Sequence, residues 1–325
     1  MNCALVAAAL LCATFANAAH AQDKIKLRYG VIANSARSVS SLGLNIALRK
    51  GFLTREGIDL EVVGLRGVQY QIEELDKGTV DLSHTATPYL IQLALKGSES
   101  VAVVGGPANT IFSLIAKKEI RSYDGLKGKT IGLSLAQDTI TIATRLLLDK
   151  HGIKDFKTKE LVGTPIRAKC LSEGECDMVP LGQPDDIVFM QKGFSKLGDS
   201  LEVIPVLQFN VIAARRSWAA ANKDKVVRFA RAFGNAYKFM RDPANRDEVG
   251  KIIVETTGAP ADVAASMLKF YFEPDRGVMP AHAEISMPGM AKVIELLGQT
   301  GEIKGPLPAT ERFVDLQYLQ AAGMQ

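Results

Sequence analysis

Gly78-Thr79-Val80-Asp81-Leu82-Ser83-His84-Thr85-Ala86-Thr87-Pro88 carries the punctuation that decides the fold. A helical pattern over Val68 to Lys77 stops at Gly78, a residue that ends helices without steric cost. Val80-Asp81-Leu82 then reads as a short strand. A new helix starts near Thr87-Pro88, where proline's fixed φ and missing N–H suit the first turn. Towards the N-terminus, Lys26 to Ile32 alternates as a strand does. A polar loop, Asn34 to Ser41, leads into a helical pattern of Leu42, Leu44, Ile46, Ala47 and Leu48. Gly51 and Gly57 mark the next turn, and Ile58 to Val63 forms another strand. On the other side, Val101 to Val104 closes the block. Strands alternating with helices imply a mostly parallel sheet covered on both faces.

The order then repeats. Strand patterns occupy Ile111 to Ala116, Lys129 to Leu133, Lys159 to Val162 and Asp177 to Leu181. Helical patterns occupy Asp138 to His151, Pro165 to Leu171 and Pro184 to Gln191. Val203 to Leu207 and Val211 to Ala214 read as two strand runs divided by Gln208-Phe209-Asn210. From about Ala221 to Gly323 the chain is helical in pattern, broken at Asp242-Pro243, at Gly258-Ala259-Pro260 and over Glu273 to His282. Two α/β blocks and an amphipathic tail predict two lobes, with the tail folding back on the first. The expected division is residues 22–108 plus 210–325 for lobe I and 109–209 for lobe II, the chain crossing between them twice. In open α/β sheets ligands sit beyond the carboxyl ends of strands, where helix starts present free N–H groups. Two such lobes face to face make a cleft that can close on a small molecule.

Composition is that of an ordinary globular chain: 325 residues, 47% hydrophobic and 23% charged, which excludes a disordered or collagenous protein. Met1 to Ala21 has no charged side chain, and its apolar centre ends in the small-x-small sequence Ala19-His20-Ala21. That pattern predicts a signal peptide cleaved after Ala21, although no Lys or Arg precedes the apolar run. Leu11 before Cys12 is too large for a lipoprotein signal. No later apolar run approaches the ~20 residues of a spanning helix, so a soluble, periplasmic protein is expected. The 39 basic and 35 acidic residues leave a formal charge of +4 with the signs mixed along the chain. Without a dense basic block, nucleic-acid binding is not expected.

After processing only Cys170 and Cys176 remain of the cysteines. An oxidising compartment would let them pair; two free thiols or half a metal site are the alternatives. No matching Cys or His pair lies elsewhere and the four histidines are scattered, so neither a metal nor a cofactor is expected.

Three stretches carry a resemblance. Ile120-Arg121-Ser122-Tyr123-Asp124-Gly125-Leu126-Lys127-Gly128-Lys129-Thr130-Ile131-Gly132 is similar to the motif I-x-S-x-x-D-L-K-G-K-x-I-G. Ala47 to Ile58 resembles A-x-x-x-G-F-F-x-x-E-G-L. Leu75 to Leu82 resembles L-x-x-G-x-v-D-f, which recurs at Leu171 to Met178. Together, in this order, they resemble the substrate-binding proteins of the nitrate/sulfonate/taurine class of ABC importers. That superfamily also holds binders and synthases of the thiamine pyrimidine. The resemblance implies a type II periplasmic-binding-protein fold, capture of a small solute, and delivery to a membrane permease. The protein is expected to be a monomer and not an enzyme. The signal peptide favours this reading over a cytoplasmic synthase, and the cysteine-rich CCCFC motif of the fungal-type synthase is absent. A ligand-binding subunit of a sensor, or a thiamine-pyrimidine-related enzyme of the same superfamily, is the alternative; a hydrolase lacks its marks, since neither GxSxG nor HExxH occurs.

Candidate ligand residues follow from loops and helix starts. Ser134, Gln137, Asp138 and Thr139 open the longest helix of the second lobe, where Asp138 also suits an N-cap. Thr85 and Thr87 open the matching helix of the first lobe, with His84 read as a packed or solvent-facing neighbour rather than a ligand. Arg37 and Ser38 lie in the first strand-to-helix loop, and the Arg37 fork would suit a carboxylate or sulfonate. Gln183 and Asp185 begin another helix, where an aspartate either favours the positive helix end or binds an amino group. Phe209 and Asn210 fall at the second crossing. The expected mode is an anion received jointly by the two helix starts, with Arg37 supplying charge. Nitrate, alkanesulfonates, aromatic carboxylates and pyrimidines all fit that description.

Overall fold

The structure, a computed structural model, describes residues 24–33, 38–109, 112–272 and 278–324. The expected signal peptide and Arg37 lie outside the described residues. Two five-stranded sheets organise the molecule. The first has strand order β2-β1-β3-β10-β4, from Ile25–Ile32 (β1), Ile58–Leu65 (β2), Leu82–Ala86 (β3), Ser100–Gly105 (β4) and Asn210–Arg215 (β10). The second has order β7-β6-β8-β5-β9, from Ser113–Ala116 (β5), Lys129–Leu133 (β6), Phe156–Glu160 (β7), Met178–Leu181 (β8) and Ser195–Asp199 (β9). Each sheet is parallel except for the strand that enters it from the other lobe. β10 runs antiparallel to β3 and β4, and β5 antiparallel to β8 and β9.

Helices cover the sheets as the spacing predicts. In the first lobe they are Leu42–Arg49 (α1), Phe52–Arg55 (α2), Gln69–Lys77 (α3) and Thr87–Leu95 (α4). In the second they are Thr139–Lys150 (α5), Thr164–Ser172 (α6) and Asp185–Gln191 (α7). The tail begins with Arg216–Ala221 (α8) and Lys223–Arg241 (α9), then Arg246–Thr257 (α10), Ala261–Phe272 (α11), Met287–Gln299 (α12) and Gln317–Ala322 (α13). α9 buries Val226, Phe229, Ala230, Phe233 and Tyr237 at helical spacing. Its Phe229 and Phe233 rings lie 5.8 and 6.0 Å from the Tyr29 ring of β1, so the tail does fold back on the first lobe. No helix of the described residues is long and apolar enough to cross a membrane.

The repeated L-x-x-G-x-v-D motif has one structural job in both lobes. Gly78 and Gly174 end α3 and α6 at φ 74° and 77°, a region glycine enters freely. Three residues on, the aspartate joins the strand next door. Asp81 accepts from the Arg28 amide at 2.8 Å and from the Arg28 guanidinium at 2.7 Å. Asp177 accepts from the Thr130 amide at 2.9 Å and from Lys117 Nζ at 2.7 Å. Local turn chemistry thus sets the register between helix exit and sheet.

Three strand boundaries differ from expectation. β3 begins at Leu82 and reaches Ala86, because pairing with β10 (Ala86 opposite Asn210) extends it past the residues that alternation marks. β7 starts at Phe156 rather than Lys159; it is an edge strand with largely exposed side chains, so its pattern carries little signal. Val203 to Leu207 is no strand. Pro205 interrupts it and Val206 is 48% exposed, while β9, poor in strand-favouring residues, takes the place beside β5.

The two crossings between lobes run side by side. Phe209 N donates to Ala108 O at 2.9 Å, Asn210 N to Pro107 O at 3.1 Å, and Ser200 N to Phe112 O at 2.9 Å. A disulfide joins Cys170, near the end of α6, to Cys176, with Cα atoms 5.3 Å apart.

Candidate functional site

A cavity of about 350 Å³ lies between the lobes, beyond the carboxyl ends of β3 and β8 and against both crossings. Its first-lobe wall includes Ser38, Val39, Val68, Pro88 and Tyr89. Its second-lobe wall includes Ser134, Asp138, Thr139, Gly163, Thr164 and Arg167. Phe112 and Phe209 of the crossings meet edge to face, ring centroids 6.0 Å apart, and complete the enclosure with Tyr271 of α11. A wider, open hollow of about 510 Å³ lies between α10 and α11, away from the strand ends. Its charges, including Arg246, Asp247, Lys251 and Glu255, are mixed in sign, so it offers no convergent polar site.

Arg167 is the decisive side chain. It is only 3% exposed, and its three bonds go to neutral acceptors: Nε to Pro180 O (2.9 Å), Nη1 to Leu161 O (3.1 Å) and Nη2 to Thr164 Oγ1 (3.1 Å). A guanidinium has five N–H donors, so one remains on each terminal nitrogen. Burial lowers its pKa to about 10, an effect that Asp138 and Asp185 partly oppose, and it stays protonated at neutral pH. Buried charges are ordinarily paired. This one has the start of two helices beside it. Thr141 and Ile142 amides return to Asp138 O, while Thr139 and Ile140, the first residues of α5, line the cavity. Gly163 and Thr164 bring the start of α6 to the same wall.

Among the described residues, hydrogen bonds join the two lobes, Gln191 Nε2 donating to Asp262 Oδ2 at 2.9 Å and two tyrosines reaching over the cavity. Tyr89 Oη donates to Asp138 Oδ1 at 3.0 Å, and Tyr271 Oη to Gln183 Oε1 at 2.6 Å. Ser134 Oγ donates to the other Asp138 oxygen at 2.5 Å. Gln183 Nε2 and Ser113 Oγ both donate to Asp186, whose burial pushes its pKa up to about 6.

Of the residues singled out in the sequence, Ser38, Ser134, Asp138, Thr139, Gln183 and Phe209 stand on the cavity wall. Thr85 and Thr87 do not. Thr85 is fully buried within β3, and Thr87 is fully buried at the start of α4 with the neighbours Ala86 and Pro88 lining the cavity instead. The Thr87 amide donates to Phe209 O at 3.1 Å and Pro88 has none, so this helix start has little left for an anion. Gln137, Asp185 and Asn210 also fall outside the wall. Asn210 is buried with Nδ2 towards Thr85 O at 3.4 Å, and Asp185 sits where burial raises its pKa against the pull of Arg167. Of the two readings of His84 the structure takes the packed one: it is buried, and burial lowers its pKa to about 4. Sequence reasoning missed Arg167, Tyr89, Phe112 and Tyr271. Arg167 carried a signal: it is a cation in the first turn of a helix, the end where the macrodipole disfavours positive charge.

The family model described as NMT1/THI5 like matches residues 38–245, a span that holds most of the cleft. The Bacillus subtilis protein YtlA is 23% identical over 265 residues, covering 79% of each chain. The ligand binding component of an ABC-type import system from Staphylococcus aureus, solved with zinc bound, superposes with a TM-score of 0.74 at 19% identity, over 94% of this chain and all of that one. The periplasmic aliphatic sulphonate binding protein SsuA from Escherichia coli does so with a TM-score of 0.67 at 20% identity, over 89% of this chain and 92% of its own. The two structures share the bilobed fold described above. The match to more than half of its length places this chain in the NMT1/THI5 like family.

Proposed function

We propose that this protein captures a small anionic solute by closure of its cleft and delivers it to the permease of an ABC importer. The observation that carries the reading is Arg167, a charged group buried in the cleft wall without a carboxylate partner among the described residues. An anion there would meet two spare guanidinium N–H groups together with the starts of α5 and α6. The fold supports the transport role, since the Staphylococcus aureus neighbour is a component of an import system and SsuA binds sulphonates. Export follows from the Met1 to Ala21 signal, with cleavage after Ala21 and action in the periplasm as a monomer. The protein binds and releases its ligand without converting it. Residues 22–108 with 210–325, and residues 109–209, act as the two bodies that close.

A thermal-shift panel on the mature protein tests this. Nitrate, methanesulfonate, benzoate and benzenesulfonate are titrated separately. A ligand at 100 times its Kd adds about 2.7 kcal/mol, which in a domain of this size moves the midpoint by several degrees. At least one of the four should do so. No shift with any of them sinks the anion reading.

A further inference from the structure

Resting on that reading, we infer that the anion is carried by an aromatic ring bearing a single negative charge, a monocyclic aromatic carboxylate or sulfonate. Tyr89, Phe112, Phe209 and Tyr271 converge on the cavity from the first lobe, both crossings and the tail. Both tyrosine hydroxyls are committed across the cleft, Tyr89 to Asp138 and Tyr271 to Gln183. With their donors so used, what these two side chains offer an anion is ring carbon. Val39, Val68, Pro88, Ile140 and Val162 fill out the apolar wall.

Size points the same way. A four-atom inorganic anion takes the room of about two waters, at ~30 Å³ each, and would leave most of a 350 Å³ cavity to solvent. An aromatic acid takes a larger share of the space, and its ring meets the wall's rings edge to face or offset at favourable angles. Charge sets the remaining limit. Among the described wall residues Arg167 is the one cation and Asp138 the one anion. A second negative charge on the ligand would find no described cation and would face the Asp138 carboxylate.

Isothermal calorimetry on the full mature chain separates these claims. Benzenesulfonate and methanesulfonate share a head group, so their ratio isolates the ring. Benzenesulfonate should bind at least about tenfold tighter than methanesulfonate or nitrate, and benzoate about tenfold tighter than the dianion terephthalate. Phe209→Leu and Phe112→Leu should each lower the ratio of benzenesulfonate to methanesulfonate affinity; being a ratio within one sample, it is indifferent to a partly unfolded fraction. Methanesulfonate or nitrate binding as tightly as benzenesulfonate overturns the aromatic assignment and leaves anion capture standing. Terephthalate binding as tightly as benzoate overturns the single charge. Binding of none of the five overturns anion capture and this inference with it.

Discussion

Arg167→Met is the most informative single change. Methionine keeps the apolar stem and removes the fork. In the wild type the guanidinium is already out of water before any ligand arrives, so binding desolvates only the anion. Its two spare N–H groups can each make a charge-assisted bond worth about 1.5–3 kcal/mol. Together that is about 3–6 kcal/mol, or a factor of roughly 10² to 10⁴ in affinity at 1.4 kcal/mol per decade. Asp138 and Asp185, which already act on Arg167, pull the figure towards the lower end. We therefore expect benzoate to bind Arg167→Met about a hundredfold more weakly, as read by calorimetry. Arg167→Lys, which keeps the charge without the planar fork, should fall between the two. The substitution also leaves Pro180 O, Leu161 O and Thr164 Oγ1 without their donor, so circular dichroism must show each variant folded at the assay temperature. A folded Arg167→Met that binds benzoate within threefold of the wild type would refute the anchor.

Acid stability should show two opposed contributions. Asp186 is raised from its ordinary 3.8 to about 6, so its contribution is full below pH 4 and lost as pH rises through 6; His84 is lowered from 6.5 to about 4, so its contribution is full above 6.5 and lost as pH falls through 4. Each amounts to roughly 3 kcal/mol, so Asp186→Asn should make stability fall more steeply between pH 6 and 4, and His84→Gln should reverse that slope. Urea titrations at stepped pH read this, and unchanged slopes in both variants would count against it. Cys170→Ser with Cys176→Ser should cost about 2 kcal/mol, the chain-entropy value for so short a loop, while leaving benzoate affinity within a factor of two; denaturation with and without reductant checks it. Gly105→Ala should destabilise by several kcal/mol, because a Cβ there would lie 1.9 Å from Glu284 O and displace the segment that Gly105 N holds through Ala283 O. A melting temperature unchanged by that alanine would mean the contact yields freely.

The lobes were legible because the signals that make them are short-range. Gly78 and Gly174 end helices through their own backbone freedom, and Pro88 starts one through its own ring. The amphipathic stripe of α9 declares a buried face without naming its partner. Where pairing partners are distant, the reading slipped: β3 extends to Ala86 because β10, more than a hundred residues later, pairs with it, and β9 is a strand because β5 lies beside it. Part of the cavity wall is legible in the same way. Ser134, Asp138 and Thr139 precede or open a helix, so position in the chain marks them.

Sequence alone determined the alternation of strands and helices and the family motifs, since each rests on neighbours a few residues apart. Only the tertiary structure decided which helix starts face the cavity. Thr87 looks as open as Thr139 in the sequence, yet its amide is taken by Phe209 O from the second crossing. Arg167 looks like a solvated helix charge, yet the return of the chain from Pro180 and Leu161 encloses it. Tyr271 belongs to a tail helix that no local pattern ties to a binding site, and it reaches the cleft only because the tail packs back across the lobes to Gln183. Burial and the sharing of donors are properties of surfaces brought together from distant parts of the chain, and no local pattern encodes them.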